Sequence, residues 1–411
     1  YPGAVRAPHE RSAAREQVAY LDHAATSPLR PEALAAMLPY LTEHFGNPSG
    51  AHAVSRRARL AVEDARDLMA AHLGTEPGRV VFTAGGTESC NLAVLGVWRR
   101  RGGAVMCSAV EHPAVLRPAQ STGTATLVPV DRRGLVDLDA LADRLHPGVA
   151  LISVMLANNE TGVIQPLDRV AELVRDQAPG ALLHTDAVGA GAWLDLSAAC
   201  RTADLVSLGA HKFGGPKGVG ALVVGPEVDL EPVQYGGPQE RERRAGTHDV
   251  AGIVGMAAAL DTALGAVAGA RARGDAGPGS GPGSGPGNWD EGPRVRRLRD
   301  RLADGLLGIP GVTETVPSGD SEVLPGTCHV LVEGVDQQEL LVLLDQDGVC
   351  ASAGSACASG ALEASHVLLA MGLSESQAVG AVRFSLGWSS TPVDVEEAVP
   401  VVAKAVARLR A

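Results

Sequence analysis

An amine that must attack a carbonyl needs a fixed backbone and little water, and Lys212 has the sequence context for both. It stands in Gly209-Ala210-His211-Lys212-Phe213-Gly214-Gly215-Pro216-Lys217-Gly218, a Gly/Pro-rich turn after an apolar run. Held at the end of a buried strand, its ammonium is desolvated and its pKa lowered, which suits Schiff-base chemistry. Alone, the same lysine also reads as an exposed loop residue. Upstream, Leu183-His184-Thr185-Asp186 brings a carboxylate to the end of an apolar strand. Such a carboxylate either pairs with a cationic ring nitrogen or caps a following helix.

Three more strand ends carry functional groups. Val80-Val81-Phe82-Thr83 runs into Ala84-Gly85-Gly86-Thr87-Glu88-Ser89. A strand, a glycine turn and a helix start form a phosphate cradle, with backbone N–H groups at Gly86 and the Thr87 hydroxyl. Val110-Glu111-His112-Pro113 offers an imidazole that stacks on a ring or moves protons, or else begins a capped helix. Asn158-Asn159-Glu160-Thr161-Gly162 offers amide donors.

Two features lie near the C-terminus. In Ala353-Gly354-Ser355-Ala356-Cys357-Ala358-Ser359-Gly360 every neighbour of the cysteine is small, the setting of a reactive thiol rather than a packed one. Val382-Arg383-Phe384-Ser385 buries an arginine in an apolar run. Its anionic partner is a substrate carboxylate or an internal acid.

The elements that hold these residues are short apolar strands alternating with helices. Strands are expected at Val80–Thr83, Ala104–Ser108, Val149–Met155, Ala181–Asp186, Asp204–Leu208 and Val219–Val224, with helices such as Glu88–Arg101, Asp137–His146 and Leu167–Gln177. Fully apolar strands require cover on both faces, hence an α/β doubly wound, mostly parallel sheet with the site at the strand ends. The run Gly277–Gly287, GPGSGPGSGPG, buries almost nothing and reads as a flexible loop. Beyond it come a basic helix from Pro293, strands at Cys328–Val332 and Val349–Ala351, and a terminal helix from Val393. The expected organisation is an N-terminal arm (1–30), a large domain (31–268), a loop (269–293) and a smaller α+β domain (294–411). Whether the helix Pro31–His44 joins the smaller domain stays open.

The chain of 411 residues is 45% hydrophobic and 20% charged, an ordinary soluble balance. Its net charge of −12 gives no footprint for nucleic acid or anionic membranes. No apolar run approaches the ~18–20 residues that span a bilayer. Tyr1–Gln17 lacks the apolar core of a secretory signal. The six cysteines form no CxxC pair and no zinc-type cluster, so no metal is expected and a reducing, cytoplasmic setting is.

In order, these segments resemble the cysteine desulfurases of the class V aminotransferase family, which are fold-type I pyridoxal-phosphate enzymes. The resemblance runs from Tyr20-Leu21-Asp22-His23-Ala24-Ala25-Thr26 through Phe45-Gly46-Asn47-Pro48-Ser49, GGTES, VEHPAV, NNETG, HTDA, AHKFGGPKGVGAL, the RAGT of Arg244–Thr247, GSACASG and RFSLG. The GSAC loop is similar to the group with a long cysteine loop. The resemblance implies that Lys212 forms the internal aldimine with pyridoxal 5'-phosphate, Asp186 pairs with the pyridine nitrogen and His112 stacks on the ring. Gly86 and Thr87, with His211 and Thr247, would bind the phosphate, Thr247 across a homodimer interface. Asn159 and Arg383, with Asn47, would hold the substrate, L-cysteine. Cys357 would take its sulfur as a persulfide, release alanine and pass the sulfur to an acceptor or scaffold protein for iron–sulfur cluster or thio-cofactor biosynthesis. Two positions depart from the family: Gly189 stands where it has a glutamine that touches the cofactor phenolate, and Gly209 where it has a serine that bonds the phosphate. Cys90 stands where relatives more often carry an acidic residue. Gly189 and Gly209 keep a divergent C–S lyase or sulfur-inserting enzyme in view, and a non-catalytic binding subunit is the remaining alternative.

Overall fold

The computed structural model describes residues 18–265, 291–317, 319, 321–354 and 364–411. Cys357 and the Gly277–Gly287 run lie outside the described residues. The strands are β1 (Ala19–Tyr20), β2 (Val80–Thr83), β3 (Ala104–Ser108), β4 (Ala125–Val128), β5 (Val149–Ser153) and β6 (Leu182–Asp186). They continue with β7 (Leu205–Gly209), β8 (Gly220–Val224), β9 (Val312–Glu314), β10 (Thr327–Val332), β11 (Val349–Cys350) and β12 (Ala381–Ser385). Seven of them form one sheet in the order β2-β8-β7-β6-β5-β3-β4, parallel throughout except that β8 runs antiparallel to both neighbours.

Alternate residues of these strands enter two different cores. Phe82, Met106, Ile152, Leu183 and Val206 face one, while Val81, Val105, Leu151, Leu182 and Leu205 face the other. This is why the strands read as unbroken apolar runs: each face of the sheet is covered. The expected doubly wound α/β sheet is therefore present. The edge strand β4 was not anticipated, because Thr126 and Leu127 are exposed there and the run carries no buried pattern. The helix expected at Asp137–His146 contracts to Leu138–Ala142, capped by the Asp137 side chain.

The C-terminal half adds an antiparallel sheet, β12-β10-β9, and β1 pairs in parallel with β11. A further core joins Ala19 and Leu21 to Leu302, Val330, Phe384 and Val402. The helix Pro31–Thr42 makes its main contact with the helix Val250–Leu264, on the side of the large sheet. Arg30, just before it, ion-pairs with Glu291 at 2.7 Å and donates from Nε to the Phe213 carbonyl at 2.8 Å. Both side chains of that pair are almost fully buried, so the turn beside Lys212 is tied to the helix Glu291–Leu307.

One close approach fixes the glycine turn after β2. A Cβ on Gly220 would lie 2.6 Å from the Gly85 carbonyl carbon and 2.6 Å from the Leu208 oxygen, both backbone. Neither neighbour can rotate aside. Gly220→Ala is expected to cost about 1–3 kcal/mol, read as a lower denaturant midpoint with an unchanged slope.

Candidate active site

The parallel strands β5, β6 and β7 all end at one side of the sheet, and the chemical side chains collect there. Lys212 closes a short helical turn, Ala210–Lys212, that continues directly from β7. Phe213 behind it is fully buried and anchors the turn. The Lys212 ammonium donates to the carbonyl oxygens of Ala24 and, at 2.9 Å, Ala25. Burial pushes its pKa down to about 8, with the Arg383 charge adding to the effect and Asp186 and Asp22 opposing it.

Asp186 is the last residue of β6, buried, and accepts from the Val188 N–H at 2.9 Å. It does not cap a helix; that N–H belongs to the turn that follows. Burial raises its pKa, while the Val188 N–H, His112, the Cys90 thiol and Lys212 favour its charged form. His112 caps the helix Pro113–Ser121, its Nδ1 accepting from Ala114 N at 3.0 Å, which leaves the neutral ring's proton on Nε2. Burial lowers the His112 pKa and the nearby Asp186 charge works against that.

The glycine turn sits beside this group. Gly85 has φ of +137°, a conformation that a residue with a Cβ rarely adopts. Gly86 opens the helix Gly86–Arg101, with the exposed Thr87 in its first turn. Val188 fills the space next to it: a Cβ on Gly86 would meet Val188 Cγ2 at 2.5 Å, and one on Gly209 would meet Val188 Cγ1 at 3.2 Å. His211 is half-buried, and burial, then Lys212 and Lys217, lower its pKa to about 4.

The turn is joined to the segment that carries Thr247. Glu88 accepts from Ala84 N at 2.6 Å and pairs with Arg244 at 2.8 Å. That segment begins with Glu240, Arg241 and Glu242 in succession at positive φ, which is costly for residues with a Cβ. Glu240 holds it there by accepting from Arg66 at 2.9 and 2.8 Å, from Phe82 N at 3.0 Å and by contacting His248 at 2.6 Å. Burial alone would raise the Glu240 pKa, but His248, Arg66 and the Phe82 N–H bring it to about 2.

Arg383 projects from β12 with its side chain 3% exposed. It pairs with Asp22 at 2.8 Å and donates to the Asn159 carbonyl at 2.8 Å and the Gly354 carbonyl at 3.4 Å. Its buried Nε has no hydrogen-bond partner among the described residues. The internal acid anticipated as one alternative is thus Asp22, and a donor remains to spare. Asn159 lends its backbone here, while Asn158 is the structural amide, its Oδ1 accepting from the N–H groups of Glu160 and Thr161.

Lys212 and Asn159 line one cleft with His23, Gly189 and Trp193. Gly189 is not forced by crowding, since a Cβ there would meet only the Ala157 oxygen at 3.5 Å. Lys212, Asp186, His112, Asn159 and Arg383 are therefore brought together, with Gly86 beside Val188. Thr247 and Asn47 are exposed and make no bond to this group among the described residues; Asn47 Oδ1 accepts from Ser49 N at 3.0 Å. The contribution of 22–27 was missed by sequence reasoning: besides Asp22 and the two carbonyls on Lys212, Ser27 Oγ donates to the Lys212 carbonyl at 3.0 Å. Its motif was visible, but backbone acceptors leave no residue-type signal. Among the described residues no His, Cys, Asp or Glu cluster is arranged to hold a metal ion, and no helix is long and apolar enough to cross a membrane.

The Aminotransferase class-V family model matches residues 19–272 and 293–398. The chain belongs to this family. It is 41% identical to "Cysteine desulfurase" of Gluconacetobacter diazotrophicus, covering 95% of this chain and 94% of that one. It is 37% identical to "Cysteine desulfurase IscS" of Methanosarcina thermophila, covering 98% and 95%. A solved structure described as "NIFS-LIKE PROTEIN" superposes with a TM-score of 0.83 at 30% identity, covering 95% of this chain and all of the other. Within the family, the chain groups with the cysteine desulfurases.

The lowered Lys212 pKa has a direct readout. As pH rises through about 8 the amine loses its proton, so aldehyde trapping at Lys212 in cofactor-free protein is expected to rise and then level off. A lysine at the ordinary 10.5 would keep gaining reactivity across that range. Borohydride trapping followed by peptide mapping checks it.

Proposed function

We propose that the protein is a pyridoxal-phosphate-dependent L-cysteine desulfurase. The observation that carries this reading is a half-buried lysine with its pKa lowered to about 8, next to the buried carboxylate of Asp186. The residues fit that cofactor: a buried carboxylate that forms no salt bridge among the described residues suits a pyridinium nitrogen, and the glycine turn suits a phosphate. When bound, pyridoxal phosphate supplies an electron sink for bonds at the substrate Cα.

The roles follow the site. Asp186 would hold the proton of the cofactor's ring nitrogen by its charge, and His112 would contact the ring and move protons through Nε2. Gly86, Thr87 and His211, with Thr247 from a second copy, would bind the phosphate. Lys212 would anchor the cofactor, and its amine is the group that would take and return the substrate Cα proton. Arg383, with Asn159 and Asn47, would hold the substrate carboxylate. The Cys357 thiolate attacks the substrate sulfur; the carbon–sulfur bond breaks, a sulfur–sulfur bond forms on Cys357, and the carbon gains a proton to leave as alanine. The persulfide then passes to an acceptor or scaffold protein, in iron–sulfur cluster or thio-cofactor biosynthesis within the cytoplasm. Residues 31–268 act as the cofactor domain, with 294–411 as the smaller domain and 1–30 as an arm.

A homodimer is part of this reading. The helix Pro31–Thr42 exposes Leu34, Leu38 and Leu41, and Phe45 beyond it is 77% exposed, an apolar stripe at helical spacing. Light scattering is expected to give twice the chain mass, and Leu38→Arg to reduce it. A second reading, a C–S lyase, is favoured by the open space at Gly189.

The deciding assay supplies L-cysteine and a reductant, and measures alanine and sulfide. The wild type is expected to make both. Cys357→Ser is expected to lose both by at least about a hundred-fold while keeping its cofactor absorbance. Pyruvate in place of alanine would transfer the assignment to the lyase.

A further inference from the structure

Glu160 is a buried acid to which the desulfurase reading assigns no task, and its contacts reach both sides of the segment that includes Cys357. It is 2% exposed. Its backbone is fixed by Asn158, whose Oδ1 accepts from the Glu160 and Thr161 N–H groups at 2.9 Å each. Its Oε2 accepts from Ser365 Oγ at 2.6 Å, and that buried hydroxyl accepts in turn from Leu368 N at 3.3 Å. Ser365 thereby caps the helix His366–Ala370, and His366 Nε2 donates to the Glu111 carbonyl at 3.0 Å. Val367, Leu368 and Met371 pack with Val110 and Met155, which follow β3 and β5. The chain after residues 355–363 is therefore fastened to the large sheet.

The chain before those residues is fastened to the smaller sheet, and it meets the same acid. Ser352 pairs with Arg383 of β12 through two backbone bonds, at 3.1 and 2.7 Å. The Gly354 carbonyl accepts from Arg383 Nη1 at 3.4 Å, and the same nitrogen donates to the Asn159 carbonyl at 2.8 Å. Gly354 has φ of +82°, and a Cβ there would lie 3.2 Å from Glu160 Oε2. A side chain at that position would be strained by both the turn and the approach. One carboxyl oxygen thus bonds Ser365 and lies against Gly354, beside the arginine that would hold the substrate carboxylate. Cys357 is three residues from Gly354, so covalent geometry alone ties its Cα to within about 11 Å of that corner.

We propose that Glu160 is a positioning residue for the Cys357 step, holding Ser365 and the Gly354 turn together at the Asn159–Arg383 corner so that the thiol is tethered from two fixed points beside the substrate. In this role Glu160 acts through the backbone of its neighbours. The substrate's carbon–sulfur bond still breaks as the sulfur–sulfur bond forms on Cys357, and Glu160 exchanges no proton or electron in that step. An acid that only stabilised the fold would, when removed, cost cofactor and substrate binding as much as turnover. Removing a positioning residue costs the thiol step alone.

The assignment rests on the desulfurase reading, and the test separates the two. The holoenzymes of the wild type, Glu160→Ala, Glu160→Gln and Ser365→Ala are each given L-cysteine and a reductant. Substrate binding is read from the change in visible absorbance of bound pyridoxal phosphate, and the thiol step from the alanine released in a single turnover. Glu160→Ala is expected to slow that release by about ten- to a hundred-fold, with cofactor occupancy and half-saturation by L-cysteine within about twofold of the wild type. Glu160→Gln keeps an oxygen that can accept from Ser365 and is expected to recover most of the rate. Ser365→Ala leaves the turn at 158–162 intact and is expected to match Glu160→Ala; it decides the question if Glu160→Ala fails to fold. Amide exchange gives a readout without turnover, expected to quicken at Leu368 in Glu160→Ala and Ser365→Ala and to stay unchanged in β5 and β6. Turnover of both variants within about twofold of the wild type, or binding lost in proportion to rate, overturns the assignment. So does a Glu160→Gln as slow as Glu160→Ala. A wild type that binds L-cysteine but releases no alanine brings down the desulfurase reading, and this assignment with it.

Discussion

The site depends on drawing an ammonium and a carboxylate away from water at the ends of neighbouring strands. Lys212 follows β7 and Asp186 ends β6, so the parallel register of those strands sets how far apart the two charges stand. Removing each charge from water is unfavourable, and their mutual attraction only partly offsets that. The surrounding structure supplies the remainder through the Val188 N–H for Asp186 and the carbonyls of Ala24 and Ala25 for Lys212. What results is an amine that needs little energy to lose its proton, beside an acid with bonding capacity left over. Neither property belongs to the isolated residues.

The same logic accounts for the polar residues that penetrate the sheet. A serine in the middle of an apolar strand is unfavourable unless its hydroxyl is bonded, and Ser153 and Ser207 are bonded through His184. On the far side, Arg66 and Glu240 form a comparable buried pair, which holds three successive residues in left-handed conformations. Strain and desolvation are thus concentrated near the site, while the remaining strand positions are close-packed and apolar.

Much of this was legible in the sequence because the large sheet is covered on both faces. That condition makes β5, β6 and β7 read as continuous apolar runs, and the reactive groups then fall at their ends. The β4 edge was hidden for the opposite reason, since exposed Thr126 and Leu127 give no buried pattern. Arg383 was recognisable as needing an anion, but nothing local pointed to Asp22. The positive φ of Glu242 was equally hidden, because a glutamate does not advertise a conformation that glycine would prefer. Contacts made by backbone atoms, or across long stretches of chain, have no periodicity to read.

The pairing of Asp22 with Arg383 joins residues 361 positions apart. β1 likewise adds to β11, and Ala24 N donates to Ser385 Oγ. A ribosome therefore releases the arm that clasps Lys212 long before it makes the strand on which that arm must rest. The sheet from β2 to β8 has its own two cores and can condense as the nascent chain lengthens, but residues 18–27 must wait for β12. The reactive lysine thus stays unclasped until β12 has been made, and the site matures later than the sheet that carries it.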